Sequence, residues 1–472
     1  MQGRRRAMAH GQVMAQTRSK NGRDNSQAHR HTQSTKMKLR EYQTNAIDQL
    51  RTTLKQHRRA LLVLPTGGGK TVIFNHIAAN ATGRVLILVH RVELLRQTVD
   101  KYGGDIGTIE AGKPTPTNRV IVGMVQTVVN RLSEIEPPSI IIIDEAHHAN
   151  ATTWQRIVNN WNAYIIGVTA TPCRADGSGL SESFDAMLIG ATMTKLIEKG
   201  YLVQPRCFAP AKIDTSNVRI QMGDFHKGDL IEVMNRPSIT GDVVSNYTKL
   251  AEGKTAVVFC ISVQHAVDVA EAFNKAGHKA AAIYGNMPGD ERDRIVSELG
   301  KSVRVLCSCD LISEGFDVPN IGAAILLRPT QSKGLFLQQV GRALRPSEGK
   351  TEAIIIDHVG NCQRHGLPTD DHGWNLTAEK RKGRVQDSES VHQCEKCFYI
   401  YERSKICPEC GHERGPSPRE IEQREGELIE IERVEKRKEQ GKAQTLDDLI
   451  KLAKQRGYNV GWAYKIYRAR KR

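Results

Sequence analysis

The sequence predicts an α/β protein of two tandem parallel-sheet lobes, followed by a small cysteine-rich module and a charged helical tail. Three observations carry this. Continuous Val/Ile/Leu runs recur between residues 37 and 360, each separated from the next by room for a helix. A strand without polar alternation is buried on both faces, as a parallel sheet covered by helices requires. The runs fall into two sets, and four of the ten cysteines cluster between Cys394 and Cys410.

The first set comprises Ala60–Pro65, Val85–Val89, Ile140–Asp144 and Tyr164–Thr169, and defines a lobe over residues 37–205. The second comprises Ala256–Cys260, Val303–Cys307, Ala323–Leu327 and Ala353–Asp357, and defines a lobe over 206–360. Residues 361–390 are polar and read as a linker, and the cysteine cluster occupies 391–414. Beyond Pro416 and Pro418 the chain, 415–472, is charged and helical in pattern. A capping box at Thr445–Asp448 precedes Leu449, Ile450 and Ala453.

Of the net charge of +16, the first 36 residues carry +7 and the last eleven +5. The excess is therefore a property of the ends. Such tails attract phosphate backbones, or are simply solvated. Met37 opens the patterned segment, which places 1–36 as a basic, disordered tail outside the functional unit, or upstream of the true start. No apolar run is long enough to span a membrane. Arg4–Arg6 are not followed by the apolar stretch of a secretory signal. A cytoplasmic protein with reduced, scattered cysteines is the default expectation.

Leu64-Pro65-Thr66-Gly67-Gly68-Gly69-Lys70-Thr71 follows a predicted strand and precedes the helical pattern Val72–Ala79. Glycines there let successive N–H groups face phosphates at a helix N-terminus. Lys70 can reach the β and γ phosphates of ATP, and Thr71 can hold Mg2+. The pattern normally opens with Gly, where this chain has Leu64; the alternative is a plain Gly-rich turn. Ile140–Ile143 runs into Asp144-Glu145-Ala146-His147. Carboxylates at a strand's carboxyl end sit where open α/β sheets bind ligands. Asp144 can hold Mg2+ through water, and Glu145 can orient or deprotonate the attacking water. An acidic strand end capping the next helix is the alternative. His148 reads as a surface residue.

These two segments together resemble the superfamily 2 helicases with a DEAH box, of bacterial or phage type. The resemblance spans about 37–360 and implies two RecA-like lobes closing on ATP. By it, Gln43 in Arg40-Glu41-Tyr42-Gln43 reads adenine. His90-Arg91-Val92-Glu93-Leu94 and Val125-Gln126-Thr127 are similar to nucleic-acid motifs, and Thr169-Ala170-Thr171 to the segment coupling hydrolysis to strand movement. Thr171-Pro172-Cys173-Arg174-Ala175-Asp176 is similar to extensions in relatives that act on double-stranded DNA. Singly, each has a plain reading as an exposed residue, a strand end or a cap; their order favours function.

Gln338-Gln339-Val340-Gly341-Arg342-Ala343-Leu344-Arg345 resembles the family's last motif. Arg342 and Arg345, three apart, share a helix face and can neutralise γ-phosphate charge from the opposite lobe, as arginine fingers do; a basic solvent-facing helix is the alternative. Gly341 fits a close approach. Glu314-Gly315-Phe316-Asp317-Val318-Pro319 resembles the fifth motif, with Asp317 at the ribose or the arginine pair. Cys309-Asp310 stands where many relatives have Thr-Asp, which puts one backbone contact in doubt. Val257-Val258-Phe259-Cys260 with Ser262 resembles the fourth motif, or is a core strand with an exposed Ser.

Cys394-x2-Cys397-x9-Cys407-x2-Cys410 has the spacing of a tetrahedral Zn2+ site; disulfides or free thiols are the alternative. His392 and His412 rank below the cysteines as ligands. Phe398, Tyr399 and Tyr401, near Lys396, Arg403 and Lys405, build a small core first and contact nucleic acid or a protein partner second. Trp462, Tyr464 and Tyr467 invite the same two readings, and the C-terminal region is a second candidate surface for protein partners. The expectation is a nucleic-acid-dependent ATPase, helicase or translocase, acting on DNA in preference to RNA. The competing readings are an RNA helicase, the motor subunit of a restriction or repair complex, and an inactive zinc-containing adaptor.

Overall fold

The structure is a computed structural model. It describes residues 39–149, 151–174, 176–209, 215–234, 237–309, 311, 320–377, 391–402, 404–414, 445–455, 463 and 466–467. Asp310, Asp317, Ala175, Arg403, Trp462, Tyr464 and the tail 1–36 lie outside the described residues.

The first lobe is a seven-stranded, wholly parallel sheet. Its strands are β1 (Arg59–Val63), β2 (Val85–Val89), β3 (Gly107–Ile109), β4 (Val120–Met124), β5 (Ile140–Asp144), β6 (Tyr164–Thr169) and β7 (Ala186–Ile189), in the order β3-β4-β2-β5-β6-β1-β7. The central strands β2, β5 and β6 are the Val/Ile/Leu runs of the sequence and are almost entirely buried. Helix Glu41–Thr53 lies on this lobe and buries Tyr42, Gln43, Ala46, Ile47 and Leu50.

The second lobe is a six-stranded parallel sheet: β8 (Gln204–Phe208), β11 (Ala256–Cys260), β12 (Ala280–Ile283), β13 (Val305–Cys309), β14 (Ala323–Leu326) and β15 (Glu352–Asp357), in the order β12-β13-β11-β14-β15-β8. Between β8 and β11 the short hairpin β9 (Ile220–Gln221) and β10 (Asp224–Phe225) is inserted. A third antiparallel pair, β16 (Val391–Gln393) and β17 (Ile400–Glu402), belongs to the cysteine module.

Five strands of the two lobe sheets were not expected from sequence. β12 reads Ala-Ala-Ala-Ile, which local propensity assigns to helix. β8 contains Pro205, which confines a strand to a sheet edge, and β8 is the edge strand beside β15. It begins at Gln204, opposite Glu352, two residues before the expected start of the second lobe. β3, β4 and β7 are short runs of three to five residues.

The segment expected as a linker is ordered through residue 377. Helix Asn361–His365 is buried, and the chain then runs back over the first lobe. Leu180 N and Ser181 N both donate to Leu376 O at 3.0 Å, and Thr194 Oγ1 donates to Thr369 O at 3.1 Å. Trp374 packs against the cores of both lobes. The C-terminal helix Leu446–Gln455 carries the expected capping box: Asp448 N donates to Thr445 Oγ1 at 3.2 Å, and Thr445 N donates back to Asp448 Oδ2 at 3.2 Å.

Candidate active site between the lobes

The phosphate loop turns off the end of β1. Gly67 and Gly69 both take positive φ (87° and 76°), a conformation that side chains resist, and helix Lys70–Asn80 starts directly after. Tyr42 Oη donates to Gly68 O at 2.8 Å, fixing the loop to helix Glu41–Thr53. A Cβ at Gly69 would stand 2.5 Å from Gln43 Nε2. The Gln43 carbonyl is taken by the Arg40 N–H at 2.9 Å, so its amide nitrogen faces the loop. Thr66 Oγ1 is buried without a hydrogen-bond partner. The loop thus offers a cradle of backbone N–H groups with an orphaned hydroxyl beside it.

Lys70 Nζ donates to Glu145 Oε1 at 2.5 Å, and Glu145 N donates to Asp144 Oδ1 at 3.0 Å. Glu145 sits at φ 50°, an uncommon conformation for a residue other than glycine. Burial, and then the neighbouring Glu145 charge, push the Asp144 carboxyl up to about 6, against the pull of Lys70. Burial also works against the Glu145 carboxylate, but Lys70 and His147 outweigh it and hold it well below the usual range. The two acids are therefore set apart by environment. Thr71 and Asp144 are the residues that would hold Mg2+, which when bound would neutralise phosphate charge.

His147 Nδ1 lies 3.3 Å from Thr169 Oγ1, and Thr169 Oγ1 donates to Thr171 O at 3.0 Å. The acidic motif is thereby wired to the end of β6. His148 is not a surface residue, as the sequence suggested. It is half-buried, its ring 4.1 Å from that of His147 and 4.8 Å from that of His90. It joins the acidic motif to the segment after β2, a role that no local pattern in the sequence signals.

The second lobe meets this site through helix Lys333–Ala343. Gly334 and Gly341 are seven residues apart, two turns, and so lie on one face. A Cβ at Gly341 would stand 2.5 Å from Thr66 Cβ, and one at Gly334 would stand 2.9 Å from Thr171 Oγ1. The helix therefore lies flush on the phosphate loop at one end and on the β6 segment at the other. The sequence pointed to Gly341 but not Gly334. Arg342 is buried within this helix. Arg345 falls two residues past the helix end, not within it, and a Cβ at Gly67 would stand 3.7 Å from its Cγ. Lys350 Nζ donates to Ala343 O and Ile321 O at 2.5 Å and to Arg345 O at 2.7 Å, tethering the turn that carries Arg345. Arg292 of the second lobe donates to Glu93 of the first at 2.8 Å, a further tie between the lobes.

Ser262 caps helix Val263–Lys275, accepting from His265 N at 3.1 Å, and Val257–Cys260 is a buried core strand. Cys309 ends β13 and is buried.

The four clustered cysteines converge. All four sulfurs lie within 4.8 Å of one another, with Cys394 to Cys410 at 3.6 Å and Cys397 to Cys407 at 3.7 Å. A tetrahedron with Zn–S bonds of about 2.3 Å has edges of about 3.8 Å, so the set fits Zn2+. Each half is the same knuckle: Phe398 N donates to Cys394 O and Gly411 N to Cys407 O, both at 2.9 Å, with Phe398 and Gly411 at positive φ. His392 is engaged by Arg414 Nη1 at 2.9 Å. The module sits on the free edge of β8: Ala209 N donates to Phe398 O at 2.9 Å, Tyr399 packs edge-on against Phe208, and Arg206 pairs with both Glu352 and Glu409. Tyr399 and Tyr401 therefore build structure, while Phe398 is partly exposed.

Fold and site together define a two-lobed phosphate-loop protein of the RecA-like class. A family model described as "Type III restriction enzyme, res subunit" matches residues 36–174, and one described as "Helicase conserved C-terminal domain" matches 240–347. The chain is 38% identical over 382 residues to a "51.5 kDa protein" of Lactococcus phage (isolate 7-9), covering 78% of this chain and 82% of that one. It is 32% identical over 355 residues to the "Putative ATP-dependent helicase IRC3" of Saccharomyces cerevisiae, covering 68% of this chain and 51% of the yeast protein. The chain thus spans about half the length of that relative. A fragment of a putative HsdR subunit of a type I restriction enzyme from Vibrio vulnificus shares the fold, with a TM-score of 0.55 at 22% identity over 69% of this chain and 65% of that one. The chain belongs to the superfamily 2 helicases.

Proposed function

We propose that this protein hydrolyses ATP between its lobes and uses the cycle to move along nucleic acid, DNA in preference to RNA. The observation that carries the reading is the seating of helix Lys333–Ala343 on the phosphate loop, with Gly341 against Thr66 and Arg345 beside Gly67. Charge on the γ-phosphate would then be met by Lys70 from one lobe and by guanidiniums, Arg342 and Arg345, from the other. Glu145 orients the attacking water. Gln43 faces the base side of the loop. Because the helix also rests on Thr171 through Gly334, a change at the phosphates is passed to the segment after β6.

DNA is favoured by relatives whose names state it, including a "DNA 3'-5' translocase XPB2" of Sulfurisphaera tokodaii, 24% identical over 373 residues. Zn2+ held by the four cysteines is assigned a structural role at the edge of the second lobe. The deciding measurement is ATP turnover in the presence of duplex DNA, single-stranded DNA and RNA. Stimulation by DNA of at least tenfold over RNA is expected, and the reverse order would assign the protein to RNA. Turnover indifferent to every nucleic acid would remove the motor reading.

A further inference from the structure

The hairpin β9–β10 breaks a local rule. Its turn is two residues, Met222 and Gly223, both at positive φ (51° and 86°), closed by Gln221 opposite Asp224. Such a turn favours Asn, Asp or Gly at its first position, because other side chains are pressed against their own backbone. Methionine is a poor choice for the turn. It is also 91% exposed, so burial does not compensate. A local violation without a folding benefit points to a use outside the fold.

The hairpin is held firmly. The Asp224 carboxylate accepts from Thr330 Oγ1 at 2.9 Å and from Gln331 N at 2.6 Å, and Phe225 is buried with the Arg364 guanidinium 5.2 Å from its ring. Its tip also meets the other lobe: a Cβ at Gly223 would stand 2.4 Å from Asp176 Cα. Asp224 then lines a cleft of about 530 Å³ together with Arg91 and Arg174 of the first lobe and Arg328 of the second. A solvated apolar side chain on a firmly held hairpin therefore stands beside a cleft with cations from both lobes. That charge suits a sugar-phosphate backbone, and an apolar tip beside such a backbone suits the faces of bases.

We propose that Met222 is a base-contacting pin, inserted against the bases of a strand whose phosphates lie along Arg91, Arg174 and Arg328, at the point where a duplex parts. Methionine is one of the side chains that wedge between base steps, and its thioether adapts to any base. Because the tip touches Asp176, lobe movement would drive the pin relative to the strand. The inference rests on the nucleic-acid reading above and adds strand separation to it.

The test uses the full chain on a forked DNA duplex with 2-aminopurine at the junction, a base that brightens on losing its stack. Met222→Asn suits the turn better than methionine while deleting the apolar tip, and Met222→Leu keeps an apolar tip. Wild type and Met222→Leu are expected to brighten the junction base and displace the strand. Met222→Asn is expected to do so at least tenfold more slowly, with DNA-stimulated ATP turnover within twofold of wild type. Equal brightening and equal displacement by wild type and Met222→Asn overturn the pin. So does a wild type whose turnover DNA stimulates but which leaves the junction base stacked. Turnover that no nucleic acid stimulates overturns the underlying motor reading instead, and the pin with it.

Discussion

Lys70 Nζ rests 2.5 Å from Glu145 Oε1, both side chains nearly enclosed, so the lysine that would bind phosphate is here held by the acid that would activate water. Phosphate and carboxylate compete for one ammonium. On the function proposed above, arrival of ATP would free Glu145 at the moment a water must be oriented. Glu145→Gln is expected to lower turnover by about 10²–10³-fold, the ordinary contribution of a positioned base, while nucleotide still binds. Lys70→Ala is expected to lose nucleotide affinity as well. It is also expected to lower stability, because it leaves the enclosed Glu145 carboxylate with only His147 beside it. Steady-state turnover, titration with a fluorescent nucleotide and urea unfolding separate these effects. Wild-type turnover in Glu145→Gln would remove that residue from the mechanism.

Gly341 has no room for a side chain. A methyl group there would meet Thr66 Cβ at 2.5 Å and Thr66 Cγ2 at 2.8 Å, both on the other lobe. The second lobe has its own sheet, so the clash is relieved by a small shift between the lobes. Gly341→Ala is expected to reduce turnover by about 10²-fold, the effect of displacing catalytic groups by about 1 Å. The unfolding midpoint should change little. A thermal melt alongside ATP turnover checks both halves. A large fall in melting temperature with unchanged turnover per folded molecule would place the role of Gly341 in folding instead.

Much of this site was legible because its parts are local. A buried strand ending in Asp144-Glu145, and a glycine loop between a strand and a helix, are short-range patterns whose chemistry follows from residue type. What stayed hidden depends on residues distant in sequence. Gly334 matters only because Thr171 lies against it, and His148 only because His90 and His147 flank its ring. Trp374 and Leu376 are two apolar residues in a polar stretch, too few for a periodicity, yet they bring the chain after helix Asn361–His365 back onto the first lobe. β12 was concealed by alanine, whose helix propensity gives way to pairing with β13. Asp317, expected at the ribose or the arginine pair, lies outside the described residues.

Acid should weaken the second lobe before the first. His265, in helix Val263–Lys275, and His358, just after β15, are both buried, and burial lowers each to about 4. In the unfolded chain each titrates near 6.5. Below that value the unfolded state takes up protons that the folded state refuses, so stability falls with pH between about 6.5 and 4 and is flat above. Both ring nitrogens of His265 are buried without partners. Urea unfolding at pH 7.5 and pH 5.0 should show a lower midpoint at pH 5.0, and His265→Leu should narrow the gap. An unchanged gap in that variant would assign the acid sensitivity to other groups.

Removal of zinc should unsettle the second lobe at one edge. β8 pairs with β15 on one side only, and its other side is covered by the cysteine module through Ala209, Phe208 and the Arg206 pair with Glu409. An edge strand stripped of its cover exposes unpaired backbone groups and becomes prone to association. The module has a core of only a few residues around Tyr401, so a metal held by its cysteines would be needed for its fold. Cys407→Ser, or a strong chelator, is expected to release one Zn2+ per chain, lower the unfolding temperature by several degrees and promote aggregation. Nucleotide binding by the first lobe should persist, since Lys70, Gln43 and the loop lie in the other sheet's domain. The checks are a colorimetric zinc assay, a thermal melt, light scattering and nucleotide titration on the same sample. If zinc leaves and neither melting nor scattering changes, the module is not an edge cover for β8, and the contacts at Phe208 and Ala209 carry little of the stability of that lobe.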